Sequence, residues 1–458
     1  MLENQLTSAE REQFQIMEEN WNRLVPRNQA LTKRYNGDMK VKDLGISIPP
    51  AMSKQLSKCS LMWSKQAVDR LMDASILDGF AFVGGRPEGF DDVMRRNEIC
   101  DQYDEIKPLF AAHGCSFWTV SAGAAGEPAA LISAYDAEHA TALINERTRE
   151  PLCGFAVVET DKRNNIEPVA ANFYNEFGDI VEAEKINGRW VYRRLHSGLG
   201  RCAMEVMRNN PDNGDHVFGR SVITTAIKSL EDEANREVVR SSLQSELYTA
   251  PTRWIMGVDG DIFNGGHWNA YLGSIFALEA EDPENPPTTG QYPQANMTPH
   301  TDYMRYLAQL FAAEASIPVQ ELISTEANPA SAEALEASRH ALVERVERIN
   351  RLNGRSLRNI GLMTLSVMEE VPVAELGEIE HSLSVQWRNP LFNSLAASAD
   401  AASKIAATVP GFAGTATYWK MLGYNEEQIA VLLAEVAASD YNNAQNAALA
   451  NSNATIEL

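Results

Sequence analysis

The chain has 458 residues, 44% of them hydrophobic, enough to bury a sizeable core in two or three domains. Its formal net charge of −22 argues against a protein that clings to nucleic acid, because tight binding uses Lys and Arg to displace counterions from phosphates. No apolar run of about eighteen residues occurs, and the opening MLENQLTSAEREQFQ is polar and acidic, so neither a membrane span nor a secretory signal is expected.

Within residues 1–30, Phe14, Met17, Trp21 and Leu24 recur at helical spacing ahead of Pro26, which predicts a helix packed as a lid on the main body. Residues 31–218 mix a helical run, Lys65 to Asp78, with β-rich runs at Gly79–Gly85, Cys115–Gly123, Glu127–Asp136 and Pro151–Asp161. Ile166 to Leu195 adds strands, with a hairpin signal at Asn187-Gly188. From Phe218 to Ala250 the pattern is a long helix. Ser221 is placed to cap it, Ile223, Ile227, Leu230, Ala234 and Val238 form its apolar face, and Pro251 ends it. The spacing drifts above 3.5, so packing against neighbouring helices is expected rather than a two-stranded coiled coil.

Thr252 to Gly266 reads as a strand, a turn and extended chain, and Glu281 to Pro299, with five prolines, reads as a loop. Thr301 to Ser316 is a second helix with Met304, Leu307, Phe311 and Ala315 on one face and Thr301 able to cap. Ser316 to Ser331 interrupts helicity with Pro318 and Pro329, after which a long helix resumes on a stripe of Leu335, Leu342, Val346 and Ile349. Between Ala332 and Arg358 six arginines outnumber four glutamates. Pairs Glu344 with Arg348 and Glu347 with Arg351 would make this a solvated face; contact with DNA is the other reading. Further on, one helix ends at Leu422 with Gly423 as a left-handed cap, and another restarts at Asn425 with Gln428 as capping-box partner. The Asn- and Ala-rich stretch 441–458 carries no core pattern and is expected to be disordered.

Signatures of catalytic chemistry are scarce in the sequence. No GxxxxGK[ST], HExxH, GxSxG or GxGxxG pattern is present. The histidines, among them His113, His139, His196, His216 and His267, are scattered. Cys59, Cys100, Cys115, Cys153 and Cys202 lack CxxC pairs and read as reduced, buried residues. Asp259-Gly260-Asp261 invites a metal reading but lacks the remaining acids of a calcium loop, so a tight turn is expected. No catalytic residue, metal or cofactor is assigned. The competing reading is a metal-dependent hydrolase or nuclease using Asp259, Asp261 and Glu281.

Ten short segments, in order and at matching intervals along some 400 residues, resemble the portal proteins of long-tailed bacteriophages, the ring-shaped head-to-tail connectors. They are RYNGD from Arg34, LGISIPP from Leu44, FGRS from Phe218, LEDEAN from Leu230 and APTRWIMG from Ala250. IPVQEL from Ile317, NPASAEAL from Asn328, QWRNP from Gln386, ADAASK from Ala399 and LGYNEEQI from Leu422 complete the set. The resemblance implies an α+β portal fold. Its parts would be a strand-rich wing (31–218, rejoined by 332–385), stem helices (219–250 and 301–316), an α/β clip (251–300), a tunnel loop (317–331) and a helical crown (386–440). It implies a ring, usually of twelve, whose charge would be roughly −264 from twelve copies at −22 each, a field that repels rather than traps a polyanion.

By the same resemblance the ring would guide double-stranded DNA without sequence specificity, at the capsid vertex of a virion assembled in the host bacterial cytoplasm. Gln320, Glu321, Ser324, Thr325, Glu326 and Asn328 would touch the duplex. Glu281, Asp282, Glu284 and Asn285 would dock the large terminase subunit and later the head-tail adaptor, with the major capsid and scaffolding proteins as further partners. The Pro-rich clip between two stem-like helices separates this reading from the hydrolase.

Overall fold

The computed structural model describes residues 6–38, 61–161, 164–212, 214, 216–248, 253–256, 286, 288–291, 296–323, 332–390, 395–424, 428–429 and 431–438. In chain order the first half contains α1 (Ser8–Tyr35), α2 (Trp63–Asp73), β1 (Leu77–Phe82), α3 (Phe90–Arg96), α4 (Ile99–His113), β2 (Cys115–Ala122), β3 (Ala130–Asp136) and β4 (Ala140–Ile144). There follow β5 (Pro151–Asp161), β6 (Asn164–Tyr174), β7 (Ile180–Ile186), β8 (Arg189–Leu195), β9 (Met204–Arg208), α5 (Thr225–Tyr248), β10 (Arg253–Met256) and β11 (Thr288–Gln291). The last elements are α6 (Thr298–Ala315), α7 (Ala332–Glu369), α8 (Glu378–Ser382), β12 (Leu383–Trp387), α9 (Leu395–Thr408) and α10 (Ala416–Met421). The class is α+β, as expected from the sequence. Residues 1–390 form one compact unit and 391–458 another.

A five-stranded antiparallel meander, β4-β5-β6-β7-β8, carries α1. The period of two in β5 decides its two faces. Cys153, Phe155 and Val157 meet the helix, while Ala156 joins the main core on the other side. Phe14 of α1 stands edge-on to Phe155, Phe173, Trp190 and Tyr192, with centroids 5.5, 6.2, 5.7 and 5.9 Å away. The helix continues through Pro26 to Tyr35, past the expected limit near residue 30, because Val25, Asn28, Leu31 and Arg34 extend its buried stripe. Val25 takes the core position expected of Leu24, and Pro26 sits on the exposed side. The Asn187-Gly188 hairpin forms as read, both residues having positive φ (52° and 76°) between Ile186 and Arg189.

The start of α1 is held chemically as well. Thr7 and Glu10 form a capping box. Glu10 also accepts from Asn175 (3.0 Å) and from Arg194 (2.6 Å), which in turn binds Asp179 at 2.7 Å. Burial alone would push the Glu10 carboxyl up; donors from Arg194, Asn175 and Thr7 outweigh it and bring the group down to about 2.

The second sheet, β3-β2-β9, is the heart of the main core. Its central strand β2 is buried at six successive positions, which requires cover on both faces, and both α4 and α7 pack on it. The outer edge of β9 is closed by side chains of α7. Asn353 Oδ1 accepts from the Arg208 backbone N–H (2.8 Å), Ser356 Oγ donates to the Val206 carbonyl (2.9 Å), and Asn359 donates to buried Glu205 (2.9 Å). A two-stranded sheet joins β1 to β12, Phe80 opposite Val385, so Gln386 and Trp387 are strand residues and the helical unit begins after Pro390.

Three helices meet at one buried charge cluster. Arg34 of α1 pairs with Glu231 (2.7 Å) and Asp232 (2.9 Å) of α5, and Ser64 of α2 donates to Glu231 through both its N–H and its hydroxyl. The predicted helix 65–78 ends at Asp73, and Asp78 lies in β1. Strands β4 and β9 had no counterpart in the sequence reading. Among the described residues Cys115, Cys153 and Cys202 are free and buried; Cys59 lies outside the described residues, as do LGISIPP, Asn425 and 441–458. No helix among the described residues is long and apolar enough to cross a membrane. In the C-terminal unit, Phe412, Tyr418, Trp419 and Tyr424 form a chain of edge-on rings, and Gly423 takes the expected left-handed cap at φ 90°.

Two outcomes are expected. A Cβ on Gly219 would lie 2.5 Å from the Asn209 carbonyl oxygen and 2.6 Å from that of Gly114, at φ +89°; Gly219→Ala should therefore destabilise the protein by about 1–3 kcal/mol, read as a lowered denaturation midpoint. For Glu10 the folded pKa lies below the unfolded value of about 4.3, so its contribution is complete above that value and is lost as pH falls towards about 2. Protection of the first-turn amides of α1, taken relative to their intrinsic exchange rates, should fall across that window, and pH-independent protection would contradict the latch.

Candidate nucleic-acid interface

The two helices expected to form a stem are present and antiparallel. Glu314, near the end of α6, approaches Thr224 ahead of α5, whereas His300, at the start of α6, reaches Glu237 and Gln244 in the second half of α5. At about 1.5 Å per residue, the 24 residues of α5 and 18 of α6 span roughly 36 and 27 Å. Buried Ile227, Ala234 and Val239 of α5 and Leu307, Ala308, Phe311 and Ala312 of α6 supply the apolar contact.

The helix starts differ from the sequence reading. Helix α5 begins at Thr225, and Thr224 Oγ1 accepts from the Ile227 N–H at 3.2 Å. Ser221 does not cap it; its hydroxyl donates to the Ala112 carbonyl and accepts from the Ile223 N–H, fixing the approach of the chain to α4. Thr301 likewise sits inside α6, which starts at Thr298 with Pro299 in its first turn. Polar groups staple the far end of the pair. His300 Nδ1 meets Glu237, its Nε2 meets Gln244, and Arg240 bridges Glu233 (3.0 Å) and Glu237 (3.4 Å).

Beyond these ends lies an antiparallel strand pair, Arg253 opposite Gln291 and Met256 opposite Thr288. The stretch 281–299, expected to be entirely loop, thus contains strand β11 and the first residues of α6; Thr288, Thr289 and Gln291 tolerate extended backbone and find partners in β10. Asp259, Asp261, Glu281, Asp282, Glu284 and Asn285 all lie outside the described residues. No three His, Cys, Asp or Glu side chains converge as a metal site among the described residues.

After α6 the chain turns sharply. Ser316 adopts the left-handed conformation (φ 58°), and the Ile317 N–H returns to the Ala312 carbonyl at 3.0 Å. Pro318 starts one 3-10 turn, Val319–Glu321. Ile317 is buried, and Val319, Leu322 and Ile323 pack against the main core, so the first half of the connection is anchored to the body. Gln320 is exposed. Glu321 is not: its side chain keeps 13% of its surface, accepts from both Nε (2.8 Å) and Nη2 (2.6 Å) of Arg339, and lies 3.4 Å from Arg70. Glu321, expected at the channel, is thereby an anchor between α2 and α7, because two guanidinium groups compensate its buried charge. Arg345 adds a bond to the Ala315 carbonyl at 3.1 Å. Ser324, Thr325, Glu326 and Asn328 lie outside the described residues.

Glu321→Ala should release this anchor at a cost of about 1–3 kcal/mol. Faster hydrogen exchange at 317–323 with an otherwise unchanged protection pattern is the expected reading, and unchanged exchange there would remove the anchoring role.

The family model for the SPP1 Gp6-like phage portal protein matches residues 15–440 of this chain. The portal protein of Mycobacterium phage D29 is 25% identical over 414 residues, covering 86% of this chain and 82% of that protein. The portal protein of Mycobacterium phage L5 is 25% identical over 393 residues, covering 82% and 77%. Among solved structures, a chain from the virion of a native gene transfer agent particle matches with a TM-score of 0.42 and 12% identity, over 82% of this chain and 94% of that one.

Proposed function

This chain belongs to the SPP1 Gp6-like family of phage portal proteins, and we propose how its parts serve that role. It is a structural portal protein of the virion, through which double-stranded DNA is packaged and ejected. The observation that carries the reading is the family match across 15–440, which takes in both helices of the antiparallel pair, the strand pair beyond them and the connection that follows. A hydrolase using Asp259, Asp261 and Glu281 finds no comparable support.

In this proposal twelve copies form a ring, with α5 and α6 inclined around a central channel as its stem and β10–β11 as the base of the clip. The loop between Ile323 and Ala332 reaches inward, held at its root by Glu321. Its Ser324, Thr325 and Asn328, with Gln320 beside them, offer neutral hydrogen bonds to phosphates, while Glu326 keeps the grip weak enough for the duplex to move. The clip residues Glu281, Asp282, Glu284 and Asn285 dock first the large terminase subunit, which supplies the energy, and then the head-tail adaptor. The rim contacts the major capsid protein and, during assembly in the host cytoplasm, scaffolding protein.

Mass measurement and particle imaging test the ring. Twelve copies of a 50.6 kDa chain give about 0.6 MDa around an open channel; a stable monomer that cuts DNA with magnesium would sink the reading. The loop is tested by Glu326→Lys, which should strengthen DNA retention with a steep salt dependence and slow packaging. Packaging at the normal rate with unchanged retention would show that the loop does not line the channel.

A further inference from the structure

On the outward face of α7, Arg348, Arg351 and Arg355 are exposed together with Glu344 and Glu347, three arginines to two glutamates. Glu344 turns to His340 at 3.6 Å, and the two i,i+4 pairs expected from spacing do not form. Neither Arg348 nor Arg351 has a carboxylate partner within 4.0 Å among the described residues. Arg355 reaches Glu150 at 2.8 Å yet keeps 66% of its side-chain surface. Between them Leu352 is 42% exposed. An apolar side chain ringed by arginines is the composition of a docking spot with a charged rim.

A complementary face exists on the same chain. On α4, Tyr103, Lys107 and Phe110 are buried, and the opposite side exposes Asp101 and Glu105, with Glu98 exposed at the N-cap just ahead of the helix. None of these three carries an ion pair among the described residues. Their spacing in sequence, three then four residues, matches that of Arg348, Arg351 and Arg355; at about 1.5 Å per residue the arginines span about 10.5 Å of helix and Asp101 to Glu105 about 6 Å. We infer that the Arg348–Arg355 face of one copy receives the Glu98–Glu105 face of the next, as the contact that closes the ring.

Two different faces of one chain that fit each other make a heterologous contact, the kind that generates rings. The overall charge gives such a strip a role. Copies that each carry −22 repel at most orientations, and an arginine-rich strip is where the next copy approaches with attraction. Leu352 separates this occupant from DNA. Its apolar surface leaves water against a protein neighbour, whereas a phosphate backbone gives it nothing.

The inference rests on the ring reading above, and the experiment separates the two. Oligomeric state is measured by mass photometry, with circular dichroism as the check on folding. The variants R348E/R351E and D101R/E105R should each weaken association about tenfold or more, and an equimolar mixture of the two should restore rings, while R348K/R351K assembles like the unmodified chain. Raising salt from about 50 to about 500 mM should itself weaken the unmodified rings. Salt-insensitive association, single-face variants that assemble normally, or folded variants that fail to complement each other overturn the inference. Normal rings from R348E/R351E that have lost salt-dependent DNA retention overturn it in favour of DNA as the occupant. A monomeric unmodified chain would instead count against the ring reading.

Discussion

Strand β9 lies at the edge of the central sheet, and an edge strand carries backbone donors and acceptors with no strand to receive them. Here they are received by one helix. Asn353 takes the Arg208 N–H and Ser356 the Val206 carbonyl, so α7 is fixed in rotation and in axial position by hydrogen bonds to main chain. Its other contacts inherit that setting. Asn350 meets Ser75 at 2.5 Å, Arg358 holds the carbonyls of Glu380 and Leu383, and Arg339 holds Glu321 at the root of the connection from α6. A helix of 38 residues thus serves as the ruler along which the sheet, the strand β12 and the expected DNA-facing loop are spaced.

The five-stranded sheet divides two cores and leaves little slack between them. A Cβ on Gly154 in β5 would fall 2.5 Å from the sulfur of Met204, so glycine there lets β5 and β9 approach closely. On the other face the aromatic cluster around Phe14 is spent on α1. The meander therefore transmits any displacement of α1 to the central sheet through packed side chains rather than through loops.

Much of this was legible in the sequence where the physics is local. The β-rich composition of Cys115–Gly123 and Pro151–Asp161, the Asn187-Gly188 turn and the apolar face of α6 depend on the residues themselves or on neighbours a few positions apart. The misses are long-range. MEVMR and ATALI carry no decisive β signal, and β9 and β4 exist because β2 and β5 offer them an edge. Asn350, Asn353, Ser356 and Asn359 recur every three residues and look like a solvent face; they are buried because strand edges and buried acids need them. Ser221 and Thr224 stand three residues apart, and only the docking of Ser221 on Ala112 leaves the capping role to Thr224. Glu321 read as a weak-grip carboxylate because nothing local reveals Arg70 and Arg339 converging on it.

The pairing of β1 with β12 has a consequence in time. Asp78 meets Arg388 across 310 positions of sequence, and the ribosome delivers residues in order. At about 5–20 residues per second, β1 waits roughly 15–60 s for its partner. Throughout that interval the nascent chain exposes an unpaired strand edge, and α7, which must cover β9, is also incomplete. The body of the subunit can close only after nearly all of residues 1–390 have emerged, late in synthesis, and its long-range pairing is slow in the manner of chains with high contact order. A truncated chain ending before residue 383 cannot complete that body, which withholds prematurely terminated copies from any assembly that requires a finished subunit.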